Sequence, residues 1–462
     1  MMISRPESRL SHHLLLGTLL VAGLSVHGAE IPDSVKRIVQ ERVDSGKTMS
    51  MVIGIVDADG ASYFSYGKMA ASDDTVPDKD SVYEIGSISK VFTAILLADA
   101  VNRGEVNYDD DIETHLPEEV TVRVKNDKTI TLENLSIQNS GLPGMPANFR
   151  PTDPTNPYAD YTVEDMYKAL SRLRMRREAG EAYEYSNLGV GLLGHLLSRA
   201  SGQTYEELVV TRIANVLDMP DTKITLTADM QERLATGHTD GKEVANWDLP
   251  TFAGAGAIRS TAQDMIAFLE ANLGLRDSPL LESMRETHAP RVEAGSEYMK
   301  IGLGWHILTS AEGPRITWHN GGTGGYRSFA GFVQGPPMGV VILTNSSGAG
   351  DDDIGYHLLN NSIPMEGAVI RSAVTIESSI LKQYVGKYQL LPKIVMDITL
   401  RGNQLNAQLT GQDRYPVFPE SETKFFFKVV DAQLVFELND DNTATALVLH
   451  QGRQRTQAKR VQ

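Results

Sequence analysis

The chain has 462 residues, enough for about two or three domains, and 41% of them are hydrophobic, so it can bury a sizeable core. Lys and Arg number 43 against 59 Asp and Glu, and the formal net charge is −16. This charge repels phosphate backbones and argues against a nucleic-acid partner. The sequence contains no cysteine, which excludes disulfides, thiolate metal sites, a cysteine nucleophile and a lipid-modified amino terminus.

The amino terminus predicts a secretory signal. Arg5 and Arg9 precede an apolar run over residues 14–24, and small residues follow as far as Ala29. A charged, then apolar, then small-residue order is typical of a cleaved signal peptide, and the apolar run is short for a membrane span. We therefore expect a signal peptide over residues 1–29, a periplasmic or secreted protein, and no stable membrane span after cleavage.

Two elements follow in the next hundred residues. The β-rich runs 51–56 and 61–66 flank an Asp-Ala-Asp-Gly turn and predict a hairpin. Residues 86–90, Gly-Ser-Ile-Ser-Lys, then open an apolar run with helical spacing that continues to about Val101.

Ser87 and Lys90 are the first candidate site residues. Three positions apart in the first helical turn, they lie on one face, so an ammonium stands beside a hydroxyl at the positive end of a helix dipole. This arrangement favours the alkoxide and makes Ser87 a candidate nucleophile, whereas Ser89 points about 100° away around the helix. By itself the motif is weak, since Ser-x-x-Lys is expected about once or twice by chance, and a capping serine with a solvated lysine is the alternative.

Residues 105 to about 270 predict a lobe of helices and loops. Helical periodicity covers three segments, 163–173, 188–200 and 262–272. Tyr185 and Asn187 lie just before the second helix and project to the same side of an extended segment. A phenol beside an ammonium can be held partly as phenolate, a base for Ser87, and the amide of Asn187 can pair with a substrate amide. The alternative is a tyrosine covering a domain junction and an asparagine capping the helix.

From about residue 302 the pattern becomes β, with strand signals at 305–308, 315–319, 326–333 and 340–344. His319 and Gly321 share one strand face within residues 318–325, Trp-His-Asn-Gly-Gly-Thr-Gly-Gly. Glycine allows a substrate backbone to approach closely, and the amides of Gly322 and Ser87 would form an oxyanion hole. The alternatives are a plain glycine turn and a phosphate cradle, and the cradle lacks the Gly-Lys-Ser/Thr ending.

Beyond a boundary near 360–378, short β runs separated by Asn, Asp and Gly predict a small barrel or sandwich without a catalytic constellation. Just before it, the acidic run 351–353 lacks calcium-loop spacing, and we expect a solvated loop there. The sequence has no Gly-x-Ser-x-Gly elbow, so the α/β-hydrolase alternative has no nucleophile. It also has no His-Glu-x-x-His motif, which would bind a catalytic zinc.

In this order, the motifs that begin at Ser87, Tyr185 and His319 resemble the signature of the class C β-lactamase and penicillin-recognising serine hydrolase family. The segments 131–143 and 260–265 also resemble family segments, and the resemblance spans roughly residues 35–360. It implies an α/β fold, an antiparallel sheet flanked by helices with a helical lobe, and an active site in the cleft between them. The chain beyond 380 resembles a small lipocalin-like β domain.

The predicted domains are therefore a signal peptide (1–29), a β-lactamase-like serine hydrolase domain (30–362), a linker (363–379) and a C-terminal lipocalin-like domain (380–462). The resemblance implies Ser87, Lys90 and Tyr185 as catalytic residues. It implies Asn187, His319, Gly321 and Gly322 as substrate-binding residues, with no metal or organic cofactor.

The third motif departs from the family pattern, because His319 stands where the typical β-lactamase has lysine. A histidine near neutral pH is only partly charged, so the permanent cation facing a substrate carboxylate is lost. His-x-Gly is similar to D,D-peptidases, D-amino-acid peptidases and esterases. We therefore expect a small-molecule or peptide substrate, most of all D-amino-acid peptides of the peptidoglycan type, with β-lactams as acylating analogues. A true class C-type β-lactamase, an esterase and a low-turnover penicillin-binding sensor are the alternatives.

Overall fold

The computed structural model describes residues 29–310, 313–348, 350–366, 373–392, 394–411, 414–427, 432–451 and 454–461. Residues 1–28 of the predicted signal peptide lie outside this part of the chain. None of the described helices combines the length and apolar character needed to cross a bilayer.

The described helices comprise twelve α-helical segments, several of only one turn. They are α1 (Asp33–Asp44), α2 (Ser89–Asn102), α3 (Leu132–Ser136), α4 (Val163–Arg172), α5 (Asn187–Ser201), α6 (Tyr205–Val209), α7 (Ala228–Glu232), α8 (Ala253–Gly256), α9 (Ala262–Leu273), α10 (Leu281–Thr287), α11 (Asp352–Leu359) and α12 (Ser378–Leu381). A 3₁₀ turn, Gly86–Ile88, leads directly into α2. The three helices predicted from periodicity, now α4, α5 and α9, are confirmed to within one or two residues.

The described strands form two large sheets and two small ones. They are β1 (Ser50–Asp57), β2 (Gly60–Gly67), β3 (Val82–Glu84), β4 (His238–Thr239), β5 (Lys242–Glu243), β6 (Arg259–Thr261), β7 (Val292–Ser296), β8 (Met299–Ile301), β9 (His306–Leu308), β10 (Ile316–Gly322), β11 (Arg327–Gln334), β12 (Pro337–Thr344), β13 (Gly386–Leu391), β14 (Ile394–Arg401), β15 (Gln404–Leu409), β16 (Arg414–Pro419), β17 (Lys424–Phe427), β18 (Ala432–Leu438), β19 (Ala444–Gln451) and β20 (Gln454–Arg460).

The main sheet is antiparallel and takes its strands from both ends of the hydrolase part of the chain. Its order is β2-β1-β12-β11-β10-β9-β8-β7, with Ile53 of β1 opposite Ile342 of β12. The predicted hairpin and the returning strands thus form one sheet, and the helical lobe is inserted between them. This confirms the predicted fold class.

Helices cover both faces of this sheet because its central strands are apolar on both sides. All residues of β1 except its last are buried, which is the pattern of a strand enclosed between two layers. On one face α9 packs so closely that a Cβ on Gly54 would lie 2.9 Å from Ile266. On the other face, Val35 and Val39 of α1 and Ile354 of α11 join a separate apolar cluster with Ile53.

Helix α2 forms the centre of the helical lobe. Every residue from Ser89 to Ala100 is buried, as expected for a helix that is apolar all round. Helix α5 packs against it and against α8, where glycines allow close approach: a Cβ on Gly194 would lie 3.0 Å from the Cα of Gly254. The lobe therefore encloses α2 and fixes the position of the 3₁₀ turn that precedes it and carries Ser87.

The expectation of a solvated acidic loop at 351–353 is wrong. Asp351 is buried, and it pairs at 3.3 Å with Arg42, whose side chain is fully buried in α1. Arg42 also donates a hydrogen bond to a carboxylate oxygen of Asp353 at 2.5 Å, and Asp352 accepts a hydrogen bond from Asn320. A buried cation needs such partners, and α1 lies against the start of α11, so these carboxylates are enclosed.

The C-terminal strands close into a barrel, which decides between the barrel and the sandwich left open by the sequence. The eight strands β13 to β20 pair in chain order, and β20 pairs back with β13. Aromatic side chains fill the interior, among them Tyr388, Phe425 and Phe436. Strands β16 and β20 gave no clear sequence signal, because β16 contains two prolines and β20 is mainly polar. The boundaries at 362 and 379 stay predictions.

Candidate active site

Ser87 and Lys90 meet at the start of α2, as the sequence predicted. Strand β3 leads into the 3₁₀ turn through Gly86, whose φ of +51° is a left-handed conformation that favours glycine. The side chain of Lys90 lies in the lobe, and its Nζ donates hydrogen bonds to Ser87 Oγ at 2.9 Å and to the carbonyl oxygen of Ala255 at 2.7 Å. Lys90 is only 1% exposed, so the alternative of a solvated surface lysine is wrong.

Burial controls the charge of Lys90. Removal from water disfavours the ammonium and lowers the pKa of Lys90 to about 7. Its two hydrogen-bond partners are a hydroxyl and a carbonyl, and neither compensates for the lost hydration as a carboxylate would. Near neutral pH a substantial fraction of Lys90 is therefore a neutral amine, which can accept the proton of Ser87.

Tyr185 lies beside the lysine, with the centre of its ring 4.8 Å from Lys90 Nζ. Burial raises the pKa of Tyr185, and a hydrogen bond to Ser87 offsets only part of this rise. The expectation of a partial phenolate is therefore wrong, since desolvation of the phenolate outweighs the nearby amine. Tyr185 is a neutral phenol that can relay a proton.

Asn187 begins α5 and faces the same cleft as Ser87. The cap of this helix is Ser186, whose Oγ accepts a hydrogen bond from the backbone amide of Gly189 at 2.8 Å. The alternative reading of Asn187 as the capping residue is therefore wrong, and its side-chain amide is placed at the cleft.

The Gly322 amide faces the serine. Strand β9 pairs with β10 only as far as Trp318, so the rest of that edge of β10 lies against the 3₁₀ turn. The amide of Thr323 donates to the carbonyl of Tyr326, and because hydrogen-bonded pairs alternate along an antiparallel ladder, the Gly322 N–H points away from β11. A Cβ on Gly86 would lie 2.6 Å from the Gly322 nitrogen, which shows how closely the two segments approach.

His319 is neutral in this setting. It is 1% exposed, and burial lowers its pKa well below the ordinary value, with further contributions from His306 and Lys90. The expectation of a partly charged imidazole near neutral pH is therefore wrong. Nδ1 lies 2.5 Å from the carbonyl oxygen of Asn320, and since a carbonyl only accepts, the proton sits on Nδ1 and Nε2 is the free acceptor.

Of the predicted site residues, Ser87, Asn187 and Gly322 line a cleft with about 300 Å³ of empty volume, part of it open to solvent, whereas Lys90, Tyr185, Gly321 and His319 are not part of its lining. Its lining is Ser87, Tyr158, Asn187, Trp247, Leu249, Phe252, Ala255, Gly256, Gly322 and Thr323. Sequence reasoning missed Tyr158 and Trp247, which lie in loops without periodicity or motif, and it missed His306, whose ring centre is 4.8 Å from that of His319. The carbonyl of Ala255 could not be found from residue type, because any residue supplies one.

Gly321 gives a prediction for stability. A Cβ there would collide with the carbonyl oxygen of Ile85 and with Ser328 Oγ, so Gly321→Ala must push β10 away from the 3₁₀ turn. We expect a loss of about 1–3 kcal/mol in unfolding free energy and a lower kcat, measured by urea denaturation and ester hydrolysis. Gly348→Ala is the control, because nothing lies within 4 Å of its Cβ position. Equal stability of the two variants would contradict the prediction.

An antiparallel sheet, an inserted helical lobe and a serine–lysine pair in the cleft between them define the class of serine hydrolases with the β-lactamase fold. The family model described as Beta-lactamase matches residues 35–361, well over half of the chain, and the chain belongs to this family. A second model, a domain of unknown function termed DUF3471, matches residues 370–460.

Known proteins agree with this assignment. The chain is 28% identical over 356 residues to the D-alanyl-D-alanine-carboxypeptidase/endopeptidase AmpH of Escherichia coli (strain K12), covering 72% of this chain and 91% of that protein. It is 24% identical over 420 residues to penicillin-binding protein 4* of Bacillus subtilis (strain 168), covering 84% of this chain and 90% of that protein. Among solved structures, the octameric penicillin-binding protein homologue from Pyrococcus abyssi has a TM-score of 0.64 at 20% identity, covering 92% and 99% of the two chains.

Proposed function

We propose that this protein is a periplasmic or secreted hydrolase that cleaves D-amino-acid peptides of the peptidoglycan type through an acyl-enzyme on Ser87, and that penicillins acylate the same residue. The observation that carries the proposal is the 2.9 Å contact between Ser87 Oγ and a buried lysine whose pKa is lowered to about 7. The names of two relatives, a D-alanyl-D-alanine-carboxypeptidase/endopeptidase and a penicillin-binding protein, support the choice of substrate.

In the first half of the reaction, neutral Lys90 accepts the proton of Ser87 as the Oγ attacks the substrate carbonyl. The amides of Ser87 and Gly322 hold the developing oxyanion. As the tetrahedral intermediate collapses, the bond to the leaving amine or alcohol breaks, and the proton passes from Lys90 through Tyr185 to that leaving group. The product is an ester between the acyl group and Ser87.

In the second half, water replaces the leaving group. Tyr185 and neutral Lys90 remove a proton from the water as it attacks the acyl ester, and Ser87 Oγ leaves and recovers a proton. Asn187 holds the substrate amide. His319 Nε2, the free acceptor, orients the substrate or the Tyr185 hydroxyl from the strand side.

The protonation state of His319 affects which substrates the site can bind. Burial keeps its imidazole neutral, so the third motif provides no cation for the carboxylate that a β-lactam carries. The carboxylate of a peptide ending in D-Ala-D-Ala meets the same neutral imidazole, so His319 favours esters and internal peptide bonds over both of these carboxylate-bearing substrates. A true class C-type β-lactamase is the second candidate, because one relative is named a D-alanyl-D-alanine-carboxypeptidase/endopeptidase and another, from Escherichia coli (strain K12), a β-lactamase.

An activity panel tests the proposal. Purified mature protein is assayed with nitrocefin, a peptide ending in D-Ala-D-Ala and p-nitrophenyl acetate, with and without residues beyond 375. We expect release of D-alanine, slow turnover of nitrocefin and a penicillin adduct on Ser87. Fast nitrocefin hydrolysis without peptide cleavage would instead establish a β-lactamase, and a fluorescent penicillin adduct that persists for hours without turnover would establish a sensor.

The lowered pKa of Lys90 predicts the pH dependence of the reaction. The amine must be neutral to accept the Ser87 proton, so kcat/KM for a neutral ester should rise with pH and level off above about 7. His319 adds no step to the profile near neutral pH, because its pKa lies well below that range. Rates measured with p-nitrophenyl acetate from pH 5 to pH 9 check this, and an acid limb centred near 10 would contradict it.

A further inference from the structure

Asn320, the middle residue of the third motif, lacks main-chain support from the strands beside it. Hydrogen-bonded pairs alternate along the ladder between β10 and β11, so the amide and carbonyl of Asn320 point away from β11, as the Gly322 amide does. On the other side of β10, the pairing with β9 ends at Trp318. Neither of these described strands therefore bonds to the Asn320 backbone.

Asn320 is held through its side chain instead. Its Nδ2 donates a hydrogen bond at 2.6 Å to a carboxylate oxygen of Asp352, which lies in the first turn of α11. Both neighbours of Asp352 pair with Arg42, Asp351 at 3.3 Å and Asp353 at 2.5 Å. Arg42 is fully buried in α1, so the start of α11 is fixed by contacts outside the cleft. The Asp352 carboxylate is thus a firm anchor for Asn320.

The carbonyl of Asn320 decides which nitrogen of His319 carries the proton. His319 Nδ1 lies 2.5 Å from this carbonyl oxygen, and a carbonyl only accepts, so the proton sits on Nδ1 and Nε2 is the acceptor. If the Asn320 peptide group turned away, the imidazole would lose the contact that selects this tautomer. The orientation of one peptide group therefore controls what His319 can offer a substrate.

The oxyanion donor lies on the same edge of β10. Gly322 follows Asn320 by two residues, and its amide points to the same side of the strand. Arg327 stands opposite Gly322 in the ladder and covers its other face, where a Cβ would lie 2.9 Å from Arg327 Nη1. A tilt of the edge at Asn320 would therefore move both the imidazole and the Gly322 amide.

Building on the proposed function, we infer that Asp352 is a positioning residue: through the Asn320 side chain it holds the edge of β10 so that His319 presents Nε2 as an acceptor and the Gly322 amide stays directed at the substrate carbonyl. Asp352 lies behind β10 and is not part of the cleft lining. Because the groups it holds act on the transition state, a small displacement should reduce kcat much more than it changes KM.

The test measures hydrolysis of p-nitrophenyl acetate by folded variants. Asp352→Ala should lower kcat about tenfold or more, with KM changed less than about twofold. Asp352→Asn keeps an oxygen that can accept from Asn320 Nδ2, so its kcat should stay within about threefold of the wild type. Asn320→Ala should lose as much as Asp352→Ala. The double variant should lose no more than either single one, because both act through one hydrogen bond.

Asp264→Ala is the matched control. Asp264 also lies in the first turn of a helix that packs on the main sheet, α9, and it accepts a hydrogen bond from Thr222 Oγ1 at 2.8 Å. Its loss should lower the urea midpoint and leave kcat within about twofold of the wild type. Wild-type kcat in Asp352→Ala, an equal fall in kcat in Asp264→Ala, or losses that multiply in the double variant would overturn the inference.

A measurement on the ring of His319 separates this inference from the proposed function. Nitrogen NMR of protein labelled at its histidine nitrogens, with His319→Gln to assign the signals, shows which ring nitrogen carries the proton. The wild type should carry it on Nδ1, and Asp352→Ala should lose this preference while Asp352→Asn keeps it. A proton on Nε2 in the wild type, or an unchanged ring in Asp352→Ala, contradicts the inference. If the wild type hydrolyses no ester, the proposed function fails, and the ring nitrogens still decide the role of Asp352.

Discussion

Replacing Ser87 with alanine is expected to reduce kcat for esters and D-Ala-D-Ala peptides by about 10⁴-fold or more, leaving only what the oxyanion hole and substrate binding provide. The hydroxyl is the group that bonds to the acyl carbon, and it is the side-chain hydroxyl to which Lys90 Nζ donates at 2.9 Å. A fluorescent penicillin should label the wild type and leave the Ser87→Ala protein unlabelled on a denaturing gel.

Ser89→Ala is the matched control, two residues away in the same segment. The Ser89 hydroxyl is fully buried and accepts a hydrogen bond from the amide of Ile258 at 3.1 Å, so it faces the lobe rather than the cleft. Its loss should cost about 1 kcal/mol in stability and leave penicillin labelling intact. Labelling of Ser87→Ala, or loss of labelling in Ser89→Ala alone, would exchange the two assignments and refute the proposed nucleophile.

Replacing Lys90 with methionine should remove activity and stabilise the protein. Methionine has a similar length but cannot accept a proton, so kcat should fall by about 10²–10⁴-fold at every pH, and the acid limb near pH 7 should disappear. The measurement is kcat/KM across the pH range. A variant that keeps the wild-type pH profile would show that another group is the base.

The stability change follows from the two pKa values of this lysine. In the unfolded chain Lys90 binds its proton up to about pH 10.5, whereas burial in the folded protein lowers its pKa to about 7. Between these values the unfolded state binds more protons, so the lysine destabilises the fold below about pH 10 and less so as pH rises. The Lys90→Met protein should therefore have an unfolding free energy about 2–4 kcal/mol higher than the wild type at pH 6, after the lost hydrogen bonds are subtracted. Above about pH 10.5 the difference should almost vanish. Urea denaturation at pH 6 and pH 10.5 measures both.

In the candidate site, residue patterns predicted the positions of side chains but not their protonation states. Helical spacing placed Ser87 beside Lys90, and strand alternation placed His319 and Gly321 on one face, because both periodicities are local properties of the backbone. The proton states of Lys90, Tyr185 and His319 did not follow in the same way. Each depends on how much water surrounds the group, and that is decided by segments distant in the sequence.

In the fold as well, local patterns predicted single strands but not the long-range pairing between them. Alternating residues revealed most strands of the C-terminal part, but they left open whether those strands close on themselves. Closure depends on the pairing of β20 with β13, about seventy residues apart, and β20 has no apolar pattern of its own. The acidic run 351–353 was likewise misjudged, since the partner that neutralises it, Arg42, lies some three hundred residues earlier.

By itself, then, the sequence determined the order of the three motifs, the family, and the helices and strands with strong periodicity, and it singled out Ser87 as the proposed nucleophile. Only the tertiary structure decided that Lys90 is partly neutral, that His319 is neutral, and that Tyr158 and Trp247 line the cleft beside the serine. The reason is physical: local periodicity is carried by residues that are neighbours in the chain, whereas desolvation and cavity shape are produced by residues that become neighbours only when the chain folds.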